Sequence, residues 1–331
     1  MAFKVNKQSW KLIEAISNSL SISEISRKTG IPKTTVWRKI NNLFAKTRIR
    51  FIVSSKALKL KPVVVIFQKS PSLLPRYTIS LREINVSGKR KFMVIGFVPE
   101  QYVAEYLSLF DKDPEYFFEY DERIIWSPYL ASKTGSVLNL NDEIIIDYNK
   151  LKDVKLEPSP IKKSSNIDAY DLLIIRWKEH YAFISLTEIS KRALNEKIKA
   201  SRQVLSYHFK KHVLPIWIGN QVRLYKPMTN NPFRAFILKC ENAEELAFKL
   251  SLIPYIYTIY YSNKIIFFTG QPTVKDIFQL YDKILSEYSP EPLLCETYIK
   301  PSFHRFVIKY NKLWNKGWIK PTVAYKIKVK K

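Results

Sequence analysis

The chain has 331 residues, of which 46% are hydrophobic and 14% aromatic. This length and apolar content suffice for two or three domains with a buried core, and they exclude a disordered basic tail. Lys and Arg number 55 against 29 Asp and Glu, so the formal net charge of +26 predicts a polyanionic partner such as nucleic acid. The sequence lacks an apolar run that could span a membrane and lacks the apolar stretch of a signal peptide. We therefore expect a cytoplasmic protein with no membrane partner.

The charge is distributed in blocks. Basic and acidic side chains number 13 and 2 in residues 1–60, 9 and 1 in 191–226, and 9 and 0 in 303–331. Residues 100–147 are instead acidic, with 3 basic and 11 acidic side chains. Segregated blocks of one sign indicate contact surfaces rather than a charge that serves solubility alone.

The first 60 residues have the pattern of a helix-turn-helix. A helix is predicted from residue 9, and Ser21 followed by Glu24 is the capping-box signature of a second helix. Gly30 predicts the turn, and Pro32 is suited to the start of a third helix. The third helix would bury a stripe formed by Val36, Ile40 and Leu43.

The opposite face of that third helix is basic and rich in hydrogen-bonding groups, as expected for a helix that enters the major groove. We predict that Arg38 and Asn41 contact base edges. Phosphate contacts are predicted for Lys33, Thr34, Lys39 and, on a basic wing strand, Arg48 and Arg50. Thr35, Asn42 and Trp37 complete the predicted surface, although Trp37 is equally suited to pack against the first helix.

The same order of elements returns in the second half, where Leu205 occupies the role of Val36. Helices are predicted from Tyr170, from Ser185 and after Ser201, followed by a wing hairpin around Gly219-Asn220. The predicted DNA contacts here are Arg202, Gln203, Ser206, Tyr207, Lys210, Lys211 and Arg223. The alternative is a second unit that only stabilises the first.

A β-rich segment follows each helical segment. Residues 234–299 predict the order βαββαβ of a ferredoxin-like domain. The first half predicts strands at 63–68, 77–86, 91–98 and 116–126 and a helix at 100–109, with its first crossover helix missing or shortened to 70–74. The expected fold class is therefore α+β, with tandem winged helix-turn-helix domains that are each followed by a ferredoxin-like domain.

These patterns define six expected segments. They are an N-terminal winged helix-turn-helix (1–60), a degenerate ferredoxin-like domain (61–130), a linker (131–167), a second winged helix-turn-helix (168–226), a ferredoxin-like domain (227–302) and a basic C-terminal extension (303–331). The aromatic residues of the extension predict that it packs against the rest of the chain.

Three stretches of the first half resemble the Lrp/AsnC class of archaeal and bacterial transcription regulators. They are the helix-turn-helix at 22–43, the exit strand and connector at 50–67, and the hairpin VSGKRKFMVIGF at 86–97. The resemblance implies DNA binding and pairing of ferredoxin-like domains, either within this chain as a pseudo-dimer or between two copies. Family members usually carry one unit per chain and tend to have an acidic residue where this hairpin has Lys91, so a small-molecule effector is not expected.

Catalytic signatures are absent from the sequence. It contains no phosphate-binding GxxxxGKS/T, no GxSxG and no CxxC. His208 and His212 have the i, i+4 spacing of a metal pair, but no adjacent acid completes HExxH, so we predict surface histidines. Adjacent carboxylates such as Asp121-Glu122 are predicted to be solvated. Cys240 and Cys295 are predicted to be a buried pair of free thiols on neighbouring strands, with a disulfide between them as the alternative. We expect no enzymatic activity, cofactor or metal.

Together these features predict a sequence-specific regulator of transcription that binds double-stranded DNA. A replication initiator that binds origin repeats is an alternative, because tandem winged helices also suit iterated sites. An RNA-binding or nucleoid-organising protein is another, since 20 Tyr, 19 Phe and 7 Trp could stack on bases. The abundance of Lys, Ile and Tyr is typical of an archaeal thermophile.

Overall fold

A computed structural model describes residues 5–43, 49–140, 142–155 and 167–327, with the side chains of 43, 302 and 303 left out. The helices are α1 (Lys7–Ser17), α2 (Ile22–Thr29), α3 (Lys33–Leu43), α4 (Val103–Ser108), α5 (Pro128–Lys133), α6 (Tyr148–Asp153), α7 (Ala169–His180), α8 (Leu186–Asn195), α9 (Arg202–His208), α10 (Ala243–Leu250), α11 (Val274–Gln279) and α12 (Ser286–Tyr288). Two π-helical segments, Phe209–Val213 and Leu280–Leu285, continue α9 and α11.

The strands are β1 (Arg50–Val53), β2 (Leu60–Phe67), β3 (Leu73–Pro75), β4 (Thr78–Val86), β5 (Lys89–Pro99), β6 (Tyr116–Glu119), β7 (Glu122–Ile124), β8 (Val137–Leu140), β9 (Glu143–Ile146), β10 (Trp217–Gln221), β11 (Phe233–Lys239), β12 (Ile256–Tyr261), β13 (Ile265–Gly270), β14 (Glu291–Arg305) and β15 (Val323–Lys326). The protein is thus of mixed α+β architecture, as predicted.

Within the described residues, nine strands form one antiparallel sheet in the order β6-β2-β5-β4-β14-β11-β13-β12-β7. The first-half strands β6-β2-β5-β4 have the same spatial order as the second-half strands β14-β11-β13-β12 when both sets are numbered along the chain. Strands β4 and β14 join the two halves, with Val86 opposite Thr297 and Ser80 opposite Arg305. The two halves therefore share one continuous sheet.

The two groups of three helices begin where the sequence predicts. The Ser21 hydroxyl accepts a hydrogen bond from the Glu24 amide at 3.1 Å at the start of α2, and the Ser201 hydroxyl accepts from the Val204 amide at 3.3 Å at the start of α9. Helix α2 ends at Gly30, whose φ of 72° is the left-handed conformation that glycine adopts without strain. We call α1–α3 the first helical unit and α7–α9 the second.

The two helical units are joined through a small sheet to which each contributes one strand. Strand β1 pairs antiparallel with β10, with Phe51 opposite Asn220. The Asn220 amide of the second half donates to the backbone oxygens of Ile16 and Ser19 in the first, at 2.8 and 2.6 Å. The predicted wing hairpin around Gly219-Asn220 is therefore wrong, because these residues lie within a single strand whose partner comes from the other half.

The two faces of the large sheet carry different layers. Gly96 of β5 lies against α4, where an added Cβ would be 2.8 Å from the Tyr106 hydroxyl. The flanking Ile95 and Phe97 line a cavity beneath the helical units. Because successive side chains of a strand point to opposite faces, α4 and the helical units lie on opposite sides of the sheet.

Three connecting segments differ from or refine the sequence-based expectation. The predicted linker at 131–167 is ordered over much of its length, since the end of α5, the hairpin β8–β9 and α6 occupy it; residues 156–166 lie outside the described residues. The segment proposed as a shortened crossover helix, 70–74, contributes to β3, which pairs with β15 of the C-terminal extension. Trp318 of that extension is buried and donates to the Leu58 backbone oxygen at 2.8 Å, so the extension packs against the first half as predicted.

None of the described helices has the length and apolar character needed to cross a bilayer.

Candidate functional site

Helix α3 buries one stripe and exposes the face that was predicted to contact DNA. Val36 and Ile40 are buried. Lys33, Thr34, Arg38, Asn41 and Asn42 are exposed, and Thr35 and Lys39 are half-buried. Trp37 is 61% exposed, which decides between the two positions considered for it, because a ring packed against α1 would be covered.

Helix α9 has the same division of faces. Leu205 is buried, as is Val213 on the π-helical continuation. Arg202, Gln203, Tyr207, Lys210 and Lys211 are exposed, and Ser206 is half-buried. The Lys211 ammonium lies 5.6 Å from the centre of the Tyr207 ring, whose side chain is 54% exposed. The two helices thus present comparable cationic and aromatic surfaces with different residues.

The described lysine and arginine side chains of these two helices have no carboxylate partners, in contrast to a number of cations on the sheet. Within the described residues, Lys33, Arg38, Lys39, Arg202, Lys210 and Lys211 form no ion pair with a carboxylate. On the sheet and beside α7, by contrast, Lys91 lies 2.6 Å from Glu115 and Arg176 lies 2.8 Å from Glu196. The exposed faces of α3 and α9 therefore keep a positive charge that acidic neighbours do not compensate.

Two predicted DNA contacts occupy another position. Arg50 on β1 and Arg223 just after β10 line the cavity beneath the helical units. They were predicted on wings, and they are displaced from that position because β1 and β10 pair with each other instead of forming separate hairpins. Arg48 lies outside the described residues.

The histidine pair of α9 is not the simple surface pair that was predicted. The Nδ1 atoms of His208 and His212 lie 3.0 and 3.1 Å from the two carboxylate oxygens of Asp171 on α7, whose side chain is 1% exposed. Burial raises the pKa of the Asp171 carboxyl. One ligand atom from each of these three residues lies within 4.8 Å of the others, which is close enough for all three to face one cation. In the structure they connect α7 to α9 by direct contacts.

Asp171 is 37 residues from His208, so the spacing of the two histidines gives no indication of the acid that joins them.

Glu122 is buried, and its predicted exposure to solvent is wrong. The Glu122 carboxylate accepts hydrogen bonds from the hydroxyls of Ser54 and Ser55 and from the amides of Ser55, Lys56 and Arg123. It therefore fixes the turn that leaves β1 to the edge of the large sheet.

Cys240 is buried and Cys295 is exposed, and both are free thiols. The predicted free state is confirmed, but the predicted burial is wrong for Cys295.

Comparisons with known proteins do not assign the chain to a family. No protein-family model matches the chain, and no curated protein matches it in sequence. Among solved structures, it is similar to the siroheme decarboxylase NirDL, with 11% sequence identity and a TM-score of 0.48 over 92% of this chain and 94% of that one. A similarity at this level carries no argument about function.

Proposed function

We propose that the protein is a sequence-specific double-stranded DNA-binding transcription regulator built from two winged-helix units, each followed by a ferredoxin-like domain. The two half-sheets with the same strand order support the duplicated architecture. The resemblance of the first half to Lrp/AsnC regulators supports the proposal that this half binds DNA. Helices α3 and α9 would then be the two recognition helices.

The observation that carries the proposal is the uncompensated charge on α3 and α9. On each of these helices several such cations are grouped on one exposed face beside hydrogen-bonding side chains, whereas basic side chains on the sheet such as Lys91, Arg234 and Lys239 have a carboxylate partner. Phosphates attract such unpaired cations and release counterions when they bind, which supplies most of the affinity for nucleic acid. The Arg38 guanidinium can donate to N7 and O6 of guanine, and the Asn41 amide can donate to N7 of adenine while it accepts from the N6 amino group.

Selection of duplexes from a random pool tests sequence specificity. The wild-type chain is expected to enrich one motif, and a variant carrying Arg38→Ala and Asn41→Ala is expected to lose preference at adjacent positions of that motif. Lys89→Ala is the matched control, because Lys89 is an exposed lysine on the β4–β5 turn. If the double variant and the wild type enriched the same motif, α3 would not read the sequence.

A second candidate rests on the exposed rings of Trp37 and Tyr207. Flat aromatic side chains beside cations are the feature by which proteins bind single-stranded nucleic acid through base stacking. Competition between a duplex and single-stranded DNA or RNA of equal length distinguishes the candidates. We expect the duplex to displace the single strands; the reverse order of affinity, with loss of binding in Trp37→Ala, would favour a single-strand-binding protein.

A further inference from the structure

A cavity of about 610 Å³ lies between the helical units and the large sheet. Strand β1, helix α7 and the residues at and after β10 form its upper wall. Strands β4, β5 and β12 form the floor, and residues 305–310 of the C-terminal extension close one side. Its volume is in the range of small-molecule and cofactor sites.

The lining of this cavity is strongly cationic. Of the described residues that line it, one is acidic, Glu179, whereas six are arginines: Arg50, Arg82, Arg123, Arg176, Arg223 and Arg305. Lys226 and Lys300 add two further positive charges. Lys300 and Arg305 are exposed, and the other six cations are half-buried. Charges of one sign that are partly removed from water repel each other and lose hydration, so such a cluster is costly unless counter-charges are supplied.

Part of this charge is compensated inside the protein. The Arg123 guanidinium lies 2.9 Å from Glu179, and Arg176 is paired with Glu196 outside the lining. Lys226 lies 3.7 Å from Asp276, and Lys300 is paired with Glu83. Within the described residues, Arg50 and Arg223 have no carboxylate partner. Their charges are contributed by β1 and by the segment that directly follows β10.

Arg223 is the side chain whose hydrogen-bonding capacity is least used. Its Nη1 donates to the Tyr225 hydroxyl at 3.1 Å and its Nη2 to the Thr258 hydroxyl at 3.5 Å, but its buried Nε has no partner among the described atoms. Arg82 lines the same cavity, where burial and then the positive charge of Arg223 lower its pKa.

The remaining wall is apolar. Ile95 and Phe97 on β5, Ile299 on β14 and the rings of Tyr257 and Tyr260 on β12 face the same space. A purely inorganic anion would leave these surfaces in contact with water. A molecule with an apolar body and anionic groups at its edge would cover them and also bring acceptors to the arginines, which bind carboxylates and phosphates with paired donors.

We propose that this cavity binds a small organic polyanion, a molecule with several carboxylate or phosphate groups around an apolar body, and that Arg223 and Arg50 are principal contacts for its anionic groups. The site is separate from the DNA-binding surfaces of α3 and α9. The assignment of this site does not depend on the proposed function, and the experiment that tests it contains no nucleic acid.

Mellitate, a benzene ring with six carboxylates, is a suitable probe, with inorganic tripolyphosphate as the anion that lacks an apolar body. Isothermal titration of the full chain is expected to show one mellitate bound per chain and weaker binding of tripolyphosphate. Arg223→Met and Arg50→Met should each weaken mellitate binding by about tenfold or more, as expected for the loss of a charge-assisted contact. Arg76→Met is the matched control, because Arg76 is exposed and does not line the cavity, and it should leave the affinity unchanged within about twofold.

The absence of saturable binding, or an equal loss of affinity in Arg76→Met, would overturn the site. Equal affinities for the two probes would overturn the organic part of the assignment. Arg50→Met keeps the test independent of Arg223→Met should that variant fail to fold. Thermal unfolding provides an additional check: mellitate should raise the melting temperature of the wild type, and Arg223→Met should reduce that rise. An undiminished rise in Arg223→Met would contradict the assigned contact.

Discussion

Arg38 and Lys39 are adjacent on α3 but have different surroundings. Arg38 is exposed on the helix face that carries Asn41, and the adjacent Lys39 is half-buried. If α3 enters the major groove, the guanidinium can read a base edge while the ammonium holds a phosphate.

Arg38→Ala should therefore cost about 1–3 kcal/mol on the selected duplex and relax the preference at one base position. Lys39→Ala should weaken binding to selected and random duplexes by the same factor. Titration of each variant with both duplexes checks the assignment. Equal losses on both duplexes for Arg38→Ala would contradict its role in sequence recognition.

Lys178 brings a positive charge into the apolar contact between the helical units. Its ammonium donates to the backbone oxygens of Ala182 and Ile184, at 3.1 and 3.3 Å, and lies 5.5 and 4.9 Å from the ring centres of Phe51 and Phe209. Burial lowers the pKa of Lys178 from 10.5 to about 8. Below pH 8 both the folded and the unfolded chain hold this proton, and the folded state bears the full cost of burying the charge.

Between about pH 8 and 10.5 the folded state releases the proton while the unfolded state still holds it, so this residue makes stability rise with pH. Lys178→Met should remove that rise, which urea unfolding at pH 7, 8.5 and 10 would show as a flatter dependence than in the wild type. Lys249→Met is the matched control, since Lys249 is equally buried but lies 3.2 Å from Glu287. A rise that persists in Lys178→Met would show that another group causes it.

At the scale of elements, the turn that leaves β1 is held by the buried carboxylate of Glu122. Glu122→Gln keeps the size of the side chain but replaces one acceptor oxygen by a donor, which cannot accept from the serine hydroxyls and amides around it. We expect a loss of about 2–3 kcal/mol in the free energy of unfolding. Urea unfolding measures it, with Asp121→Asn as the control.

Asp121 is the sequence neighbour of Glu122, but its ion pair with Lys61 at 2.7 Å is partly exposed. Asp121→Asn should therefore cost less than about 1 kcal/mol. Similar losses in the two variants would mean that the buried network contributes no more to stability than a surface pair.

The elements that could be predicted from the sequence are those with local determinants. Ser21 and Ser201 identify helix starts because each accepts a hydrogen bond from a residue three positions later. The Ser87-Gly88 turn is likewise evident, since its two residues adopt the positive φ values of 49° and 80° that a tight hairpin requires. These features depend on neighbouring residues alone.

The partners of strands could not be predicted in the same way. Alternation indicates which face of β1 and β10 is buried, but it does not specify that these strands, about 170 residues apart, pair with each other. The cavity could not be predicted for the same reason, because Arg50 lies on β1, Arg82 on β4 and Arg223 just after β10. Glu122 and Asp171 appear in the sequence as ordinary acidic residues, and their burial depends on contacts with distant segments.

At the scale of the whole molecule, the contacts between the helical units are reciprocal. Strand β10 of the second half lies against the first unit through Asn220, and α7 of the second unit lies against β1 through Lys178. The two units that contact each other in this way have different sequences. We therefore expect one chain to occupy an asymmetric DNA site.

Native mass spectrometry of the complex, together with hydroxyl-radical footprinting, checks this expectation. One chain per duplex and two protected segments of unlike sequence would support it. Two chains on a perfect inverted repeat, with one on each half, would exclude the pseudo-dimer.

The claim that unpaired cations on α3 and α9 bind duplex phosphates can be tested by the salt dependence of affinity. Each phosphate that a protein neutralises contributes about −0.9 to the slope of log K against log salt concentration. Replacing Lys33, Lys39, Lys210 and Lys211 by alanine should reduce the magnitude of that slope by about 3 to 4. A control variant should keep the wild-type slope of log K against log salt concentration. It replaces four exposed lysines outside α3 and α9 by alanine: Lys89, Lys239, Lys264 and Lys275. The same slope in wild type and the α3/α9 variant, or an equal reduction in both variants, would contradict DNA binding through these helices.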